Sequence, residues 1–296
     1  MGPAVSARAV WLAAALLAPP LARGASAQEA ARPALLERVV VLGASGSAGF
    51  GVSGSMADAL RATFVDDPGS LRDESSSLFF LDPLANGANA VERARAADPT
   101  LVVAADFLFW FAYGLVNAEG KPLASDEERP ALFEKGLALL AEFTCPVVVG
   151  DLPDCSRAIG TMLLEAQVPA PATLAALNAR LAEWAKERPK VVVLPLAASV
   201  ERLFAAASPA RASARRSPDG EAAPAELELG GWTYPAREAA ALLFQPDELH
   251  PTLEGLALIA HQAARGLLER GLVEPAAVRL ERDAVLERLR RRPAKR

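Results

Sequence analysis

Three residues of this sequence have the side chains that hydrolysis through a serine nucleophile requires. Ser45 lies within a run of small residues, 43–49, and Asp247 and His250 lie three positions apart much later in the chain. A serine hydroxyl becomes a strong nucleophile when a base removes its proton, and histidine is the base suited to neutral pH. The histidine needs an acceptor on its second ring nitrogen, which an aspartate supplies. The three residues therefore predict attack on a carbonyl carbon, as in ester hydrolysis.

The small residues around Ser45 also suit this chemistry. Glycine lets the chain turn sharply off a strand and lets backbone amides approach a ligand closely. The amide at the start of the following helix would help to bind an oxyanion.

The choice of base rests on the two histidines of the chain. His261 lies in the pattern ALIAHQAARGLL, which is typical of a helix. His250 is followed by Pro251, which we expect to end a turn and open the last helix. His250 taken alone fits a capping or surface residue, but together with Asp247 and Ser45 it predicts a catalytic triad.

Five short apolar runs predict the strands that would position these residues. They are 38–42, 78–81, 100–105, 146–149 and 190–194. Helical patterns follow at 54–63, 88–97, 130–143, 172–188, 198–206 and 253–268. Strands alternating with helices predict one doubly wound, three-layer α/β domain with its site at the carboxyl ends of the strands.

Composition limits the classes of partner. The chain has 296 residues and a formal charge of −5, and aromatic residues make up 6% of it. A nucleic-acid-binding surface needs a basic face or aromatic side chains for stacking, so we expect no nucleic-acid partner.

The N-terminus has the pattern of a targeting segment. Arg8 precedes the apolar run 10–17, and Ala25-Ser26-Ala27 is a small-residue cleavage site. The run is well short of the roughly 20 residues that span a bilayer. We therefore predict a signal peptide over residues 1–27, export after cleavage near Ala27, and no integral membrane association.

Two later segments differ in composition from the predicted domain, residues 28–272. Residues 208–225 are rich in Ser, Pro, Ala and charge, which predicts a flexible insertion or, alternatively, a lid. Residues 273–296 are rich in Arg and Glu and predict a charged, solvated helix and tail. Cys145 and Cys155 are separated by a predicted strand, which favours two free thiols over a disulfide.

Four blocks in order resemble the SGNH/GDSL hydrolase superfamily. They are Gly43-Ala44-Ser45, the region around Gly87, the strand 101–105 and the stretch Asp247-x-x-His250-Pro251. The resemblance implies a flavodoxin-like fold with a parallel five-stranded sheet in the order 2-1-3-4-5. It implies esterase, lipase or carbohydrate-deacetylase activity on a small-molecule, glycan or lipid ester, with no metal and no organic cofactor.

Two blocks depart from the superfamily pattern. Ala44 replaces the aspartate of Gly-Asp-Ser, and Asp106 and Leu108 replace the glycine and asparagine of the third block. The lost asparagine is an oxyanion donor, and removing one such donor costs roughly 3 kcal/mol of barrier in other enzymes. Either another group replaces it or the activity is weak.

The resemblance leaves several candidates for the oxyanion site. The amides of Ser45 and Gly87 remain as donors, and Asn86 or Asn89 could replace the missing side chain. Asp106 is open to three interpretations: it holds a loop, it donates when protonated, or it binds a cationic group of the substrate.

Other classes of protein fit less well. A catalytically degenerate binding protein of the same fold would explain the altered third block. A dinucleotide loop at Gly43, Gly46 and Gly49 would need an acidic residue about 20 positions on, but Asp82 lies nearly forty residues away. The nucleophile elbow G-x-S-x-G of the α/β-hydrolases does not occur, and Asp151 and Asp154 lack the histidine that a metal site would add.

Overall fold

Five parallel strands form the central sheet. A computed structural model describes residues 34–207 and 225–291 of the chain. Its sheet strands are β1 (Arg38–Val41), β2 (Ser70–Asp73), β3 (Leu101–Ala104), β4 (Val147–Gly150) and β5 (Val191–Leu194). They lie in the order β2-β1-β3-β4-β5, and every neighbouring pair is parallel. The predicted α/β fold class and its strand order are confirmed.

Helices cover both faces of the sheet because successive strand residues point to opposite sides. Val39 and Val41 of β1 belong to one apolar core, and Val40 and Leu42 belong to the other. The helices of the described residues are α1 (Ser45–Ala48), α2 (Met56–Thr63), α3 (Pro83–Ala96), α4 (Phe109–Tyr113), α5 (Arg129–Leu140), α6 (Pro171–Lys186), α7 (Leu196–Ala207), α8 (Ala239–Leu243), α9 (Leu253–Glu269) and α10 (Arg282–Arg290). Apolar residues of α2, α9 and α10 enter the first core, and those of α3 to α6 enter the second.

The second strand lies in a different place from the one predicted. The apolar run 78–81 contains a 3-10 helix, Phe79–Leu81, whereas the strand that pairs with β1 is Ser70–Asp73. This strand lies at the edge of the sheet, and its residues are exposed or half-buried in alternation. An edge strand half in water does not need a continuous apolar run, which is the signal used for buried strands.

A two-stranded hairpin was not predicted from the sequence. Strands β6 (Glu226–Leu229) and β7 (Trp232–Pro235) pair in antiparallel fashion around Gly230 and Gly231, which both have positive φ. The alternation of ELEL and WTYP about a Gly-Gly pair is a recognisable hairpin signal. Its buried side chains extend the first core.

The charged C-terminal segment contributes to the same core. Within α10, Val285, Leu286 and Leu289 are buried together with residues of α2 and α9. The predicted signal peptide, residues 1–27, and all but Ala225 of the predicted insertion 208–225 lie outside the described residues. No helix within the described ranges is long and apolar enough to cross a membrane.

His261 of α9 is buried in the protein interior. We expect its titration to make the free energy of unfolding depend on pH in the acid range. Its ring is 2% exposed and stacks on Trp232 with 4.4 Å between ring centroids. Burial and then the charge of Arg265 lower the pKa of His261 from 6.5 to about 4. As the pH falls from 6.5 towards 4, the unfolded chain takes up a proton that the folded protein excludes, so stability is lost in that window.

We expect this residue to contribute roughly 3 kcal/mol of stability at pH 7.5 that is absent below pH 4. Urea unfolding of the wild type and of His261→Leu at pH 7.5 and at pH 4 tests this expectation. The stability of the wild type relative to the variant should fall by roughly 3 kcal/mol between the two pH values. Parallel pH profiles would contradict the assignment.

Candidate active site

Ser45 lies at the tip of the first strand, at the start of a single helical turn. β1 ends at Val41, and α1 begins at Ser45 itself and ends at Ala48, followed by Gly49, which has a φ of 78°. Among the hydrogen bonds of the described residues, none uses the backbone amide of Ser45. The turn thus presents both a hydroxyl and an unpaired amide at the carboxyl edge of the sheet.

Asp106, which follows β3, holds this turn in place. Its Oδ1 accepts hydrogen bonds from the Ala44 amide at 3.0 Å and from the Ser47 hydroxyl at 2.5 Å. Its Oδ2 accepts one from the Ser47 amide at 3.0 Å. Burial raises the pKa of Asp106, and the hydrogen bonds from Ser47 and Ala44 oppose that rise in part.

The glycines beside Ser45 leave room for this carboxylate. A Cβ on Gly43 would lie 2.2 Å from Asp106 Oδ1, and one on Gly46 would lie 2.8 Å from Oδ2. Any other residue at either position would displace the aspartate or the turn. Of the three interpretations of Asp106 from sequence, the one in which it holds a loop agrees with these contacts.

Asp106→Asn is expected to loosen the turn. The NH2 group of the asparagine would face a backbone N–H group that donates to the carboxylate in the wild type, and two donors cannot pair. We expect a loss of about 1–3 kcal/mol of stability and a fall in kcat of up to about 100-fold. Urea unfolding and ester hydrolysis measure the two effects. Asp154→Asn, a change in an exposed carboxylate after the next strand, is the matched control. Equal stability and rates in both variants would refute the role of Asp106.

The loop before α9 places the histidine. Phe244 and Pro251 form an antiparallel bridge, and the Gln245 amide donates to the His250 carbonyl at 2.9 Å. Glu248 takes a φ of 55°, which turns the chain tightly between Asp247 and His250. Helix α9 then starts at Leu253, two residues beyond the proline that we expected to open it.

A glutamine side chain ties the two loops together. Gln245 Nε2 donates to the carbonyl oxygen of Phe50 at 2.7 Å and to that of Pro251 at 2.9 Å. The Phe50 ring covers the His250 imidazole with 4.5 Å between ring centroids, although 43% of the phenylalanine remains exposed. Residues almost 200 positions apart in sequence are thereby held in contact.

The structure brings Ser45, His250 and Asp247 into one hydrogen-bonded chain. Ser45 Oγ lies 2.9 Å from His250 Nε2, and His250 Nδ1 lies 2.8 Å from Asp247 Oδ2. An ionised carboxylate can only accept, so the Nδ1 proton faces Asp247 and Nε2 is free to accept from the serine hydroxyl. This arrangement can move a proton from the serine to the imidazole.

The environment of Asp247 keeps it ionised. Burial raises its pKa, but the amides of His250 and Leu249 and the His250 ring outweigh that effect, and the pKa lies below its usual value. The two amides donate to Oδ1 at 2.9 and 3.0 Å, which leaves Oδ2 to the imidazole. The carboxylate is therefore fixed in both charge and orientation.

The other oxyanion candidates lie elsewhere. Gly87 is buried inside α3, where a Cβ would lie 2.8 Å from the Phe111 ring. Asn86 donates to the carbonyl oxygens of Leu78 and Phe79, and Asn89 is exposed on the same helix. None of these three lines the cavity at Ser45. Helix α3 starts at Pro83, earlier than expected from the sequence, which draws the Gly87 region into regular helix.

The residues after β3 mostly pack in the second core. Leu108, which the sequence resemblance aligns with an asparagine, is 1% exposed and packs beside Gly136, where an added Cβ would lie 2.8 Å from the leucine side chain. Phe109 differs, because it lines the cavity at Ser45 and stacks on Tyr113 with 4.2 Å between ring centroids. The aromatic run thus supplies core residues and one wall of the site.

A cavity of about 130 Å³ opens beside the Ser45–His250 pair. Its polar lining comes from Ser45, Ser47, Asp106 and Asp151 at the strand tips and from His250 in the loop before α9. The remaining wall is almost entirely apolar and comes mainly from α2, α7, α8 and α9, with further residues from α4, β6 and the loop after β4.

The remaining acidic candidates have structural partners. Asp151 accepts the Ala197 amide at 2.7 Å at the start of α7, and burial raises its pKa. Asp82 caps α3 by accepting the Ala85 amide, away from the end of β2 where a dinucleotide loop would need it. Residues 34–207 and 225–291 contain no group of three or more His, Cys, Asp or Glu arranged to hold a metal ion. Cys145 and Cys155 are both free thiols.

The fold of this chain is similar to that of a solved structure. A crystal structure described as that of a putative acylhydrolase from Bacteroides fragilis aligns over 80% of this chain and 88% of its own, with a TM-score of 0.46 and 16% identity. No protein-family model matches the sequence, and no curated protein matches it.

Proposed function

We propose that this protein is an exported serine ester hydrolase in which Ser45 is the nucleophile, His250 the general base and Asp247 the residue that orients it. The observation that carries the proposal is the continuous chain from Ser45 Oγ through the imidazole to Asp247, with distances of 2.9 and 2.8 Å. The pairing of a nucleophile with a base, and of that base with an orienting acceptor, is the geometry that nucleophilic catalysis needs.

The mechanism follows from these contacts. His250 Nε2 takes the proton of Ser45 as its oxygen attacks the ester carbonyl, and Asp247 stabilises the resulting imidazolium. The imidazolium then protonates the leaving alcohol, which leaves an acyl-enzyme at Ser45. In the second half of the reaction, His250 takes a proton from a water molecule that attacks the acyl-enzyme. It then returns that proton to Ser45 as the acid is released.

The oxyanion site of this mechanism centres on the amide of Ser45. That amide has no acceptor among the described residues and lies beside the reacting oxygen. Because Leu108 and Gly87 are packed in the second core, the superfamily's other donors have no counterpart at their expected positions. We therefore expect a modest turnover rate.

We include export in the proposal on the basis of the sequence pattern of residues 1–27. A positive residue, a short apolar run and an A-x-A site precede the domain. Expression of the full chain in a bacterial host, followed by N-terminal sequencing of the secreted or periplasmic product, tests it. A product that begins at Gln28 supports export, and an uncleaved cytoplasmic product contradicts it.

A fluorophosphonate probe tests the hydrolase proposal directly, because it reacts with activated serines. We expect the wild type to be labelled at Ser45, located by mass spectrometry on the peptide that ends at Arg61. Ser45→Ala and His250→Ala should both lose the label. A folded wild type that remains unlabelled would instead support a binding protein of the same fold.

A further inference from the structure

We infer that the cavity beside Ser45 binds the apolar acyl chain of the substrate, so that the enzyme acts on esters of medium-chain fatty acids. This inference rests on the proposed function and adds a substrate class to it. It is carried by the position, the lining and the size of the cavity.

The position of the cavity suits an acyl group. Its lining includes Ser45 and His250, where the carbonyl carbon of an ester would react. It also includes residues of α7 and α9 that belong to the first core, among them Leu203 and Leu256, which are 1% and 0% exposed. A chain attached to the reacting carbonyl would therefore run into the protein interior, away from solvent.

The lining excludes a polar occupant from the deep part. Helix α7 contributes Leu196, Val200 and Leu203, and helix α9 contributes Leu256 and Ile259. A sugar hydroxyl placed among these side chains would lose its hydrogen bonds to water without gaining others, at a considerable cost. Hydrocarbon loses nothing comparable and gains from burial.

The charged groups at the mouth do not alter this conclusion. Both oxygens of Asp106 accept hydrogen bonds from the Ser45 turn, and Asp151 accepts the amide of Ala197. These hydrogen bonds account for Asp106 and Asp151, the two carboxylates among the described residues of the lining. Among the described residues no lysine or arginine lines the cavity, so no permanently charged cation is placed to pair with an anionic acyl chain.

The size sets the chain length. The cavity measures about 130 Å³, and an apolar cavity of about 150 Å³ is known to hold benzene, a molecule of six carbons. Because this cavity is slightly smaller, we expect it to hold about five carbons, which with the carbonyl at the mouth makes an acyl chain of roughly six carbons. Each buried methylene should raise kcat/KM by roughly fourfold until the cavity is full.

The test is the hydrolysis of p-nitrophenyl esters from acetate to palmitate. For the wild type we expect kcat/KM to rise by about fourfold per methylene from acetate, to peak near hexanoate, and to fall beyond. Val200→Phe, which fills part of the cavity, should lower kcat/KM for hexanoate by at least about tenfold more than it lowers kcat/KM for acetate. Ala198→Phe adds the same ring to an exposed position of α7 and should leave the whole series unchanged.

Binding to the Ser45→Ala variant separates this inference from the proposed function. Hexanoate should raise its Tm more than acetate does, and Val200→Phe in that background should remove the difference. Chain-dependent binding without any hydrolysis by the wild type would support the acyl cavity and refute the hydrolase. Hydrolysis with a flat chain-length profile, unaffected by Val200→Phe, would refute the acyl cavity and keep the hydrolase.

Discussion

Ser45→Ala is expected to lower kcat for ester hydrolysis by about 10⁶-fold, which is the scale of losing the nucleophile of a complete triad. The serine hydroxyl has one side-chain partner in the structure, His250 Nε2 at 2.9 Å. No other group of the described residues is placed to attack in its stead, because Ser47, two positions on, donates its hydroxyl to Asp106. Steady-state hydrolysis of p-nitrophenyl hexanoate measures the loss.

The control for this variant is its stability. Ser45 is half-buried and its side chain hydrogen-bonds to His250, so alanine should change the free energy of unfolding by less than about 1 kcal/mol. Ser47→Ala removes the neighbouring hydroxyl and its hydrogen bond to Asp106, so it should lose at most about 100-fold in kcat, far less than Ser45→Ala. Residual turnover of Ser45→Ala within about tenfold of the wild type would exclude Ser45 as the nucleophile.

Asp247→Asn is expected to lower kcat by about 10⁴-fold while the fold is retained. The asparagine can still accept the amides of Leu249 and His250 through its Oδ1. Its amide nitrogen then faces His250 Nδ1, and this favours the tautomer with a proton on Nε2. That tautomer cannot accept the Ser45 proton, so the nucleophile is not activated.

The pH dependence distinguishes this effect from simple loss of structure. In the wild type the lowered pKa of Asp247 keeps the carboxylate ionised well into the acid range. The asparagine variant lacks that charge, so its residual activity should recover at high pH, where hydroxide can activate the serine. Measuring kcat from pH 5 to 10 tests this, and a variant with the wild-type profile and rate would show that Asp247 does not orient the histidine.

Several features follow directly from local sequence. The buried strands β1, β3, β4 and β5 lie within one or two residues of the predicted runs, since a strand covered on both faces must be apolar throughout. Their alternation with helices fixed the fold class. The Asp247-x-x-His250-Pro251 stretch indicated the candidate base and the carboxylate that orients it. Both residues lie on one short loop, so residues that are close in sequence are also close in space.

Other features depend on contacts between distant segments, which no local pattern encodes. The edge strand Ser70–Asp73 pairs with β1 through its backbone, and so its side chains are free to be polar. Asp106 was visible in the sequence, but its role depends on meeting the Ser45 turn from about 60 positions away.

The cavity shows the same division most clearly. In the sequence, the apolar lining residues of α2, α7 and α9 have the same pattern as residues of an ordinary hydrophobic core. The tertiary structure alone determines that these helices leave a space of about 130 Å³ beside Ser45. The sequence by itself therefore determined the fold class and the choice of candidate reactive side chains, because these depend on periodicity and local spacing. The shape of the space around them was decided by the packing of distant elements.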